Sequence, residues 1–124
     1  MTTMNTRQLV PMASVADVER SIAFYRHLGF EVGNTFAPAD ATKPSWAWLQ
    51  SGLAQLMVTT ASELIVPEQH SVLFYIYTDD VAAARASLVE AGLNPGAIAT
   101  PFYAPRGEFQ LVDPDGYVVM VTHT

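Results

Sequence analysis

Apolar and polar residues follow a helical period in two stretches of the chain, and strand-like apolar runs precede and follow each stretch. The first helical stretch begins after Asp17, whose carboxylate suits a helix N-cap, and ends before Gly29, which suits the left-handed position just past a helix. The second stretch has the same signals at Asp80 and Gly92. One run before and three runs after each helix predict a β-α-β-β-β order that is written twice.

The last two strand-like runs of each half are joined by predicted turns. Asp113-Pro114-Asp115-Gly116 is a strong hairpin signal, because proline pre-sets the first corner and glycine supplies a positive φ, whereas Ser51-Gly52 is a weaker one. Residues 61–70 join the halves and are predicted to form an exposed linker. The runs lie near residues 9–15, 30–36, 46–50 and 53–59 in the first half, and near 93–99, 108–112 and 117–123 in the second.

Shifting the sequence by 63 positions overlays the two halves without a gap. Ten of the 53 overlaid positions are identical, against roughly four expected for unrelated sequences of ordinary composition. The match of Met57-Val58-Thr59 with Met120-Val121-Thr122 lies far from the helix caps, so shared capping chemistry does not explain it. We therefore predict a duplication in which one domain, residues 1–124, is made of modules 7–60 and 71–124.

The composition narrows the class of partner. The net charge of −6 comes from 12 acidic and 6 basic residues, so no nucleic-acid partner is expected. The absence of cysteine excludes disulfides, thiolate zinc sites and cysteine nucleophiles. No membrane helix is expected, and the first ten residues lack a signal-peptide pattern, so the expected location is cytoplasmic. Only 15% of residues are charged while 50% are apolar, which indicates apolar surface for a subunit interface or a deep pocket.

Three segments carry a resemblance to a known family: VADVERSIAFYRHLGFEV at 15–32, YTDDVAAARASLVEAGL at 77–93 and RGEFQLVDPDGYVVMV at 106–121. Together with the duplication, they resemble the vicinal oxygen chelate superfamily, whose members include glyoxalase I, extradiol dioxygenases and bleomycin-resistance proteins. The resemblance implies an α+β fold of two tandem βαβββ modules whose curved mixed sheets enclose a cavity. The superfamily contains lyases, oxygenases, transferases and plain binders, so this fold does not define the function.

The metal-dependent members of this family place His or Glu ligands on the first or last strand of each module. The resemblance carries those positions to Val10, Met57, Leu73 and Met120. None of these side chains offers the carboxylate oxygen or imidazole nitrogen that divalent cations prefer. The three histidines are interpreted as ordinary surface residues. We therefore expect no metal, no cofactor and no catalytic residue, and a soft apolar pocket floor made by the four family positions.

Strand pairing predicts which residues share the face of Met120. A three-residue loop in the second hairpin pairs Gln110 with Met120 and places Glu108 on the same face, as a general base or as a charge at the rim. The first hairpin leaves two alternatives. A two-residue turn places Trp46 and Trp48 on the pocket face, whereas a three-residue turn places them in the core under the first helix. The core is the favoured position for either tryptophan, and at least one is kept as a ligand-binding candidate.

Aromatic residues outside the central strands are further ligand-binding candidates. Phe36 ends a predicted strand, and a loop stiffened by two prolines carries Phe102 and Tyr103 just before Arg106. Aromatic rings stack on flat heterocycles or hold cations, and an arginine holds an anionic group. An interface loop and a free surface arginine explain the same residues equally well.

The sequence predicts metal-independent binding of a small molecule. The chain resembles the bleomycin-resistance branch of the family, whose members sequester a compound without turnover and pair as homodimers. The resemblance therefore implies sequestration and a homodimer here. The acidic balance suits a cationic or aromatic ligand. The alternative is an enzyme of the same fold: a lyase, an isomerase or a dioxygenase-like protein.

Overall fold

The computed structural model describes residues 4–124. Residues 1–3 of the N-terminal segment considered above lie outside the described residues. The chain divides into two compact units, one ending at Glu63 and the other beginning at Leu64. Each unit combines one α-helix with a curved mixed sheet, which confirms the predicted α+β class.

The first unit is a four-stranded sheet with one helix. Its strands lie in the order β1-β4-β3-β2, with β1 parallel to β4 and the other pairs antiparallel. The helix begins as predicted, because the Asp17 side chain accepts a hydrogen bond from the Arg20 amide, and it ends before Gly29, at φ 91°. The elements are β1 Met12–Val15, α1 Val18–Arg26, β2 Glu31–Phe36, β3 Trp46–Ser51 and β4 Ala54–Thr60.

Helix α1 covers one face of this sheet. Its buried residues include Val18, Ile22 and Tyr25, which fall at helical spacing. Alternate strand residues such as Ala47 and Val58 are buried on the same side, because successive side chains of a strand point to opposite faces. The residues between them point away from α1, to the face that we call the first helix-distal face.

The second unit repeats this plan with three strands. They lie in the order β5-β7-β6, with β5 parallel to β7 and β6 antiparallel to β7. The Asp80 side chain caps the helix at the Ala83 amide, and Gly92 follows the helix at φ 89°, as predicted. The elements are β5 Leu73–Thr78, α2 Val81–Glu90, β6 Glu108–Val112 and β7 Val118–His123, preceded by a 3-10 turn at Pro67–Gln69.

The predicted strand near 93–99 is wrong, since the segment has no more than an isolated bridge of Ala99 with Glu108 and one bond from the Gly96 amide to the Gln110 carbonyl. Proline offers no amide for a ladder at Pro95. The Arg85 guanidinium takes the carbonyls of Pro95 and Gly96, at 3.2 and 2.7 Å. The helix therefore holds this segment through an arginine, where the first unit has a regular strand.

The predicted strand at 9–15 is shorter than expected. Strand β1 starts at Met12, and Pro11, which has no amide hydrogen, contributes its carbonyl to the Met57 amide at 2.9 Å. Val10 therefore lies before the strand rather than on it.

The strand registers repeat with the sequence, apart from one shift. Met12 pairs with Met57 in the first sheet, and Tyr75 pairs with Met120 in the second, so both pairs follow the 63-residue offset. Across the hairpins, however, Trp48 pairs with Met57 whereas Gln110 pairs with Met120, an offset of 62. The gapless overlay is wrong by one residue there, because the first turn has two residues and the second has three.

The segment predicted as a linker lies partly on the second unit. The His70 ring stacks on Tyr117 at a centroid distance of 3.8 Å, and its Nε2 lies 3.0 Å from the Asp115 carbonyl oxygen. Pro67 packs closely over Gly116, which leaves no space for a side chain there. Among residues 4–124, no helix has the length and apolar character to cross a membrane.

Candidate ligand-binding faces

A stripe of thioether and aromatic side chains crosses the first helix-distal face. Met57 of β4 lies at its centre, in register with Met12 on one side and Trp48 on the other. Trp46 and Phe36 are paired at the next position along the same face. Met12 is 55% exposed and Phe36 is 59% exposed, so this stripe presents large apolar groups at the surface of the chain.

The core position favoured for the tryptophans is wrong. The turn of the first hairpin consists of Gly52 and Leu53 rather than Ser51 and Gly52, since Ser51 pairs with Ala54. This two-residue turn places the tryptophans on the same face of the sheet as Met57. The core under α1 is filled instead by the neighbours of the tryptophans in β3. These are Ala47, which is 0% exposed, and Leu49, which is 1% exposed.

Gly33 sets the position of the Trp48 ring. The register of β2 shifts between Val32 and Asn34, which leaves Gly33 in a bulge. A Cβ at Gly33 would lie only 3.3 Å from Cδ1 of Trp48. The missing side chain therefore lets the indole lie against the backbone of β2.

The second helix-distal face has the same central methionine with different neighbours. Met120 lies in register between Tyr75 and Gln110, which confirms the predicted pairing of Gln110 with Met120. At the next position Thr122 lies between Tyr77 and Glu108, so Glu108 shares this face as predicted. This face therefore carries a carboxylate and two phenols where the first carries indoles.

Glu108 is buried although it is ionisable. It is 5% exposed, and its Oε2 accepts a hydrogen bond from the Tyr103 hydroxyl at 3.3 Å. The negative charge of Glu108 raises the pKa of Tyr103 above its ordinary value, with smaller contributions from burial and from Tyr75. Tyr103 thus stays protonated as a donor to the carboxylate over the physiological pH range.

The proline-stiffened loop exposes both predicted aromatics, Phe102 and Tyr103, and its predicted arginine makes contacts with the end of β7. Phe102 is 95% exposed and meets Tyr103 edge-to-face at 5.3 Å. The Arg106 guanidinium lies 2.7 Å from Nδ1 of His123 and also donates to the carbonyl of Thr124. Arg106 is therefore occupied by the end of β7 rather than free to meet an anion.

The four positions that the family uses for metal ligands lie in different surroundings. Met57 and Met120 are half-buried at the centres of the two faces. Val10 is half-buried ahead of β1, and Leu73 is exposed at the start of β5. Within the described range 4–124, no group of three or more His, Cys, Asp or Glu side chains is placed to hold a metal ion.

Sequence reasoning missed Met12, Tyr75 and Tyr77, which belong to these faces. The signal was present, because residues two apart in a strand share a face. Tyr75 and Tyr77 therefore follow Leu73 directly, and Met12 follows Val10 if the strand is extended that far.

Each of the two units combines a mixed β-sheet with one helix and has a methionine at the centre of its helix-distal face. This arrangement defines an α+β protein built from two similar modules. The chain belongs to the Glyoxalase/Bleomycin resistance protein/Dioxygenase superfamily, whose family model matches residues 8–121.

Solved structures of bleomycin-binding proteins share this fold. The bleomycin resistance determinant encoded on the transposon Tn5 has a TM-score of 0.75 at 24% identity, over 96% of this chain and 98% of that chain. A bleomycin-binding protein complexed with bleomycin gives 0.74 at 24% identity, over 96% and 99%. TnmS3, an antibiotic binding protein from Streptomyces sp. CB03234, gives 0.76 at 20% identity, over 98% of each chain. No curated protein sequence matches the chain.

Proposed function

We propose that this protein binds a flat aromatic small molecule, of the antibiotic type, on its helix-distal faces and sequesters it unchanged and without a metal. The observation that carries the proposal is the stripe of Met12, Met57, Trp48, Trp46 and Phe36. Thioethers adapt to varied shapes and indoles stack on flat heterocycles, so the stripe suits such a ligand. Two structural neighbours are a bleomycin-binding protein and an antibiotic binding protein, which supports an antibiotic as the ligand.

Intrinsic fluorescence tests this proposal directly. The chain has only two tryptophans, and both lie on the first helix-distal face, so quenching of their emission reports on that face alone. We expect bleomycin, or another member of a panel of flat aromatic antibiotics, to quench the emission and to raise the thermal unfolding temperature. A panel in which no compound does either would contradict ligand binding.

Two substitutions to lysine, one on the stripe and one outside it, locate the site. Met57→Lys places an ammonium at the centre of the stripe and should abolish quenching, because a desolvated cation opposes apolar burial. Leu53→Lys makes the same chemical change in the turn, where Leu53 is fully exposed, and should leave quenching unchanged. Equal loss in both variants would place the bound compound elsewhere.

Recovery of the ligand separates sequestration from catalysis. After long incubation and denaturation of the complex, liquid chromatography with mass spectrometry should recover the compound with its original retention time and mass. An altered mass, or an altered retention time at the same mass, would instead support the enzyme alternative, in which Glu108 is the available general base.

We also propose a cytoplasmic homodimer. The low share of charged residues, 15%, and the exposed side chains of Leu9, Leu64 and Phe102 support an interface with a second copy. Sedimentation equilibrium should give twice the 13.5 kDa of one chain. A mass of one chain at micromolar concentration would contradict the dimer.

A further inference from the structure

Glu108 brings a carboxylate to a buried position on the second helix-distal face with few partners. One oxygen accepts from the Tyr103 hydroxyl at 3.3 Å, and no described residue donates a hydrogen bond to the other oxygen, Oε1. A buried charge is costly unless it is paired with an opposite charge or with several donors. A single neutral phenol at this distance supplies neither, so the carboxylate has capacity for a stronger donor.

The cationic side chain nearest in sequence does not supply that donor. The Arg106 guanidinium is turned toward His123 and Thr124, where its nitrogens meet Nδ1 and a carbonyl oxygen. Among residues 4–124, the Glu108 carboxylate has no hydrogen-bond donor besides the phenol. A ligand is therefore a possible source of the positive charge that would pair with the Glu108 carboxylate.

Two tyrosines of β5 lie on the same face of the sheet as the carboxylate. Tyr77 lies across Thr122 from Glu108, and the Tyr75 ring lies 6.5 Å from the Tyr77 ring. Tyrosine rings attract cations through their electron-rich faces, and this attraction strengthens when the cation leaves water. A carboxylate that contacts one tyrosine and shares its face with two others suits a cationic nitrogen.

We infer that Glu108 recognises a cationic N–H group of the ligand, an ammonium or an amidinium, with Tyr75, Tyr77 and Tyr103 around it. The inference rests on the proposed binding function and names the ligand class for the second helix-distal face. Oε1 accepts a hydrogen bond from the N–H group of the cation. Tyr103 covers the carboxylate from an exposed loop position, so its side chain moves aside or donates alongside the cation.

Two fluorescent probes with the same aromatic group test this inference. Dansylcadaverine ends in an ammonium, whereas N-pentyl dansylamide ends in a methyl group and is neutral. Both should bind the wild-type protein if it binds flat aromatic molecules. The ammonium probe should bind about tenfold more tightly, a factor that corresponds to about 1.4 kcal/mol.

Three variants assign the preference to the carboxylate. Glu108→Gln should bind the two probes equally, while Glu90→Gln, which makes the same charge change at an exposed position of α2, should keep the tenfold preference. Tyr103→Phe should also keep it, because the carboxylate and the ring remain. A Glu108→Gln variant that keeps the preference, or a Tyr103→Phe variant that loses it, would overturn the assignment.

A measurement on the wild-type protein tests the inference even if Glu108→Gln does not fold. A bound ammonium neutralises Glu108, so the ammonium probe should lower the pKa of Tyr103, measured by tyrosine ¹³Cζ chemical shifts, and the neutral probe should not. Equal affinities for the two probes would overturn the inference and leave the proposed function standing. Failure of both probes to bind would count against the proposed function itself, and the inference would fall with it.

Discussion

At the scale of residues, equivalent positions around the two central methionines carry different chemistry. Trp48 lies beside Met57, whereas Gln110 lies beside Met120. Two residues earlier in the same strands, Trp46 of the first unit corresponds to Glu108 of the second. The first face is therefore suited to stacking, and the second to polar recognition.

The contact between Tyr103 and Glu108 predicts a pH dependence. We expect Tyr103 to ionise above its ordinary pKa of 10.0, because a phenolate would form beside the Glu108 carboxylate. The folded chain then holds a proton that the unfolded chain releases, so stability should fall as pH rises above this value. Titration of the tyrosine ¹³Cζ signals checks both expectations.

The matched variant for this titration is Glu108→Gln. Removal of the carboxylate should return the pKa of Tyr103 toward its ordinary value, and added salt should reduce the wild-type shift because Tyr103 is exposed. An unchanged pKa in the variant would show that Glu108 is not the main cause.

A buried hydroxyl in α1 predicts a stabilising substitution. Ser21 is fully buried, and its Oγ has no hydrogen-bond partner among residues 4–124. The repeat mate in α2 is Ala84, which has no hydroxyl to satisfy. Ser21→Ala should raise the free energy of unfolding by about 1 kcal/mol, since it removes an unsatisfied polar group and improves helix propensity.

Urea denaturation measures this change, with Ser87→Ala as the control. The Ser87 hydroxyl already donates to the Ala84 carbonyl at 2.9 Å on an exposed part of α2, so its removal should change stability little. A loss of stability in Ser21→Ala would mean that the hydroxyl makes a contact that this structure does not show.

At the scale of elements, helices and hairpins were predicted where local chemistry decides them. Both helix caps and the register of the second hairpin follow from Asp, Gly and Pro at known offsets. The strand near 93–99 failed because Pro95 offers no amide to a ladder, and because Arg85, from α2, donates to the carbonyls of Pro95 and Gly96. Pro95 is visible in the sequence, whereas the contact with Arg85 is not. Such a tertiary contact leaves no periodic signal in the sequence.

The second hairpin depends on one carboxylate. Asp113 Oδ1 accepts from the amides of Asp115 and Tyr117, at 2.8 and 2.9 Å, and Asp113 is buried. Asp113→Ala should lower the free energy of unfolding by about 3 kcal/mol, because two buried amides lose a charged acceptor. Thermal and urea unfolding of the variant measure the loss.

Asp113→Asn and Asp40→Ala are the controls for the hairpin. The asparagine keeps an acceptor oxygen and should lose less than half as much stability, while Asp40 is exposed and its removal should have little effect. Equal losses in Asp113→Asn and Asp113→Ala would show that charge, rather than the two hydrogen bonds, stabilises the turn.

At the scale of the whole molecule, the family was predictable, and the faces were predictable in part. The family model confirms the resemblance over residues 8–121, whereas the duplication stays a prediction from identities at a constant offset. The side of the tryptophans was not predictable, because Ser51-Gly52 allows two turn lengths of opposite parity. The burial of Glu108 was not predictable either, because it depends on contacts such as that of Tyr103 from a loop outside the strand.

The chemistry of the family positions predicts that the protein works without a bound metal. Val10, Met57, Leu73 and Met120 offer no oxygen or nitrogen ligand, so divalent cations should bind weakly. Protein incubated with zinc, nickel, iron or manganese and then desalted should contain much less than one metal per chain by elemental analysis. Chelation with EDTA should change neither the unfolding temperature nor probe binding. Stoichiometric metal, or a lower unfolding temperature after chelation, would show a metal site built from other residues and would favour the enzyme alternative.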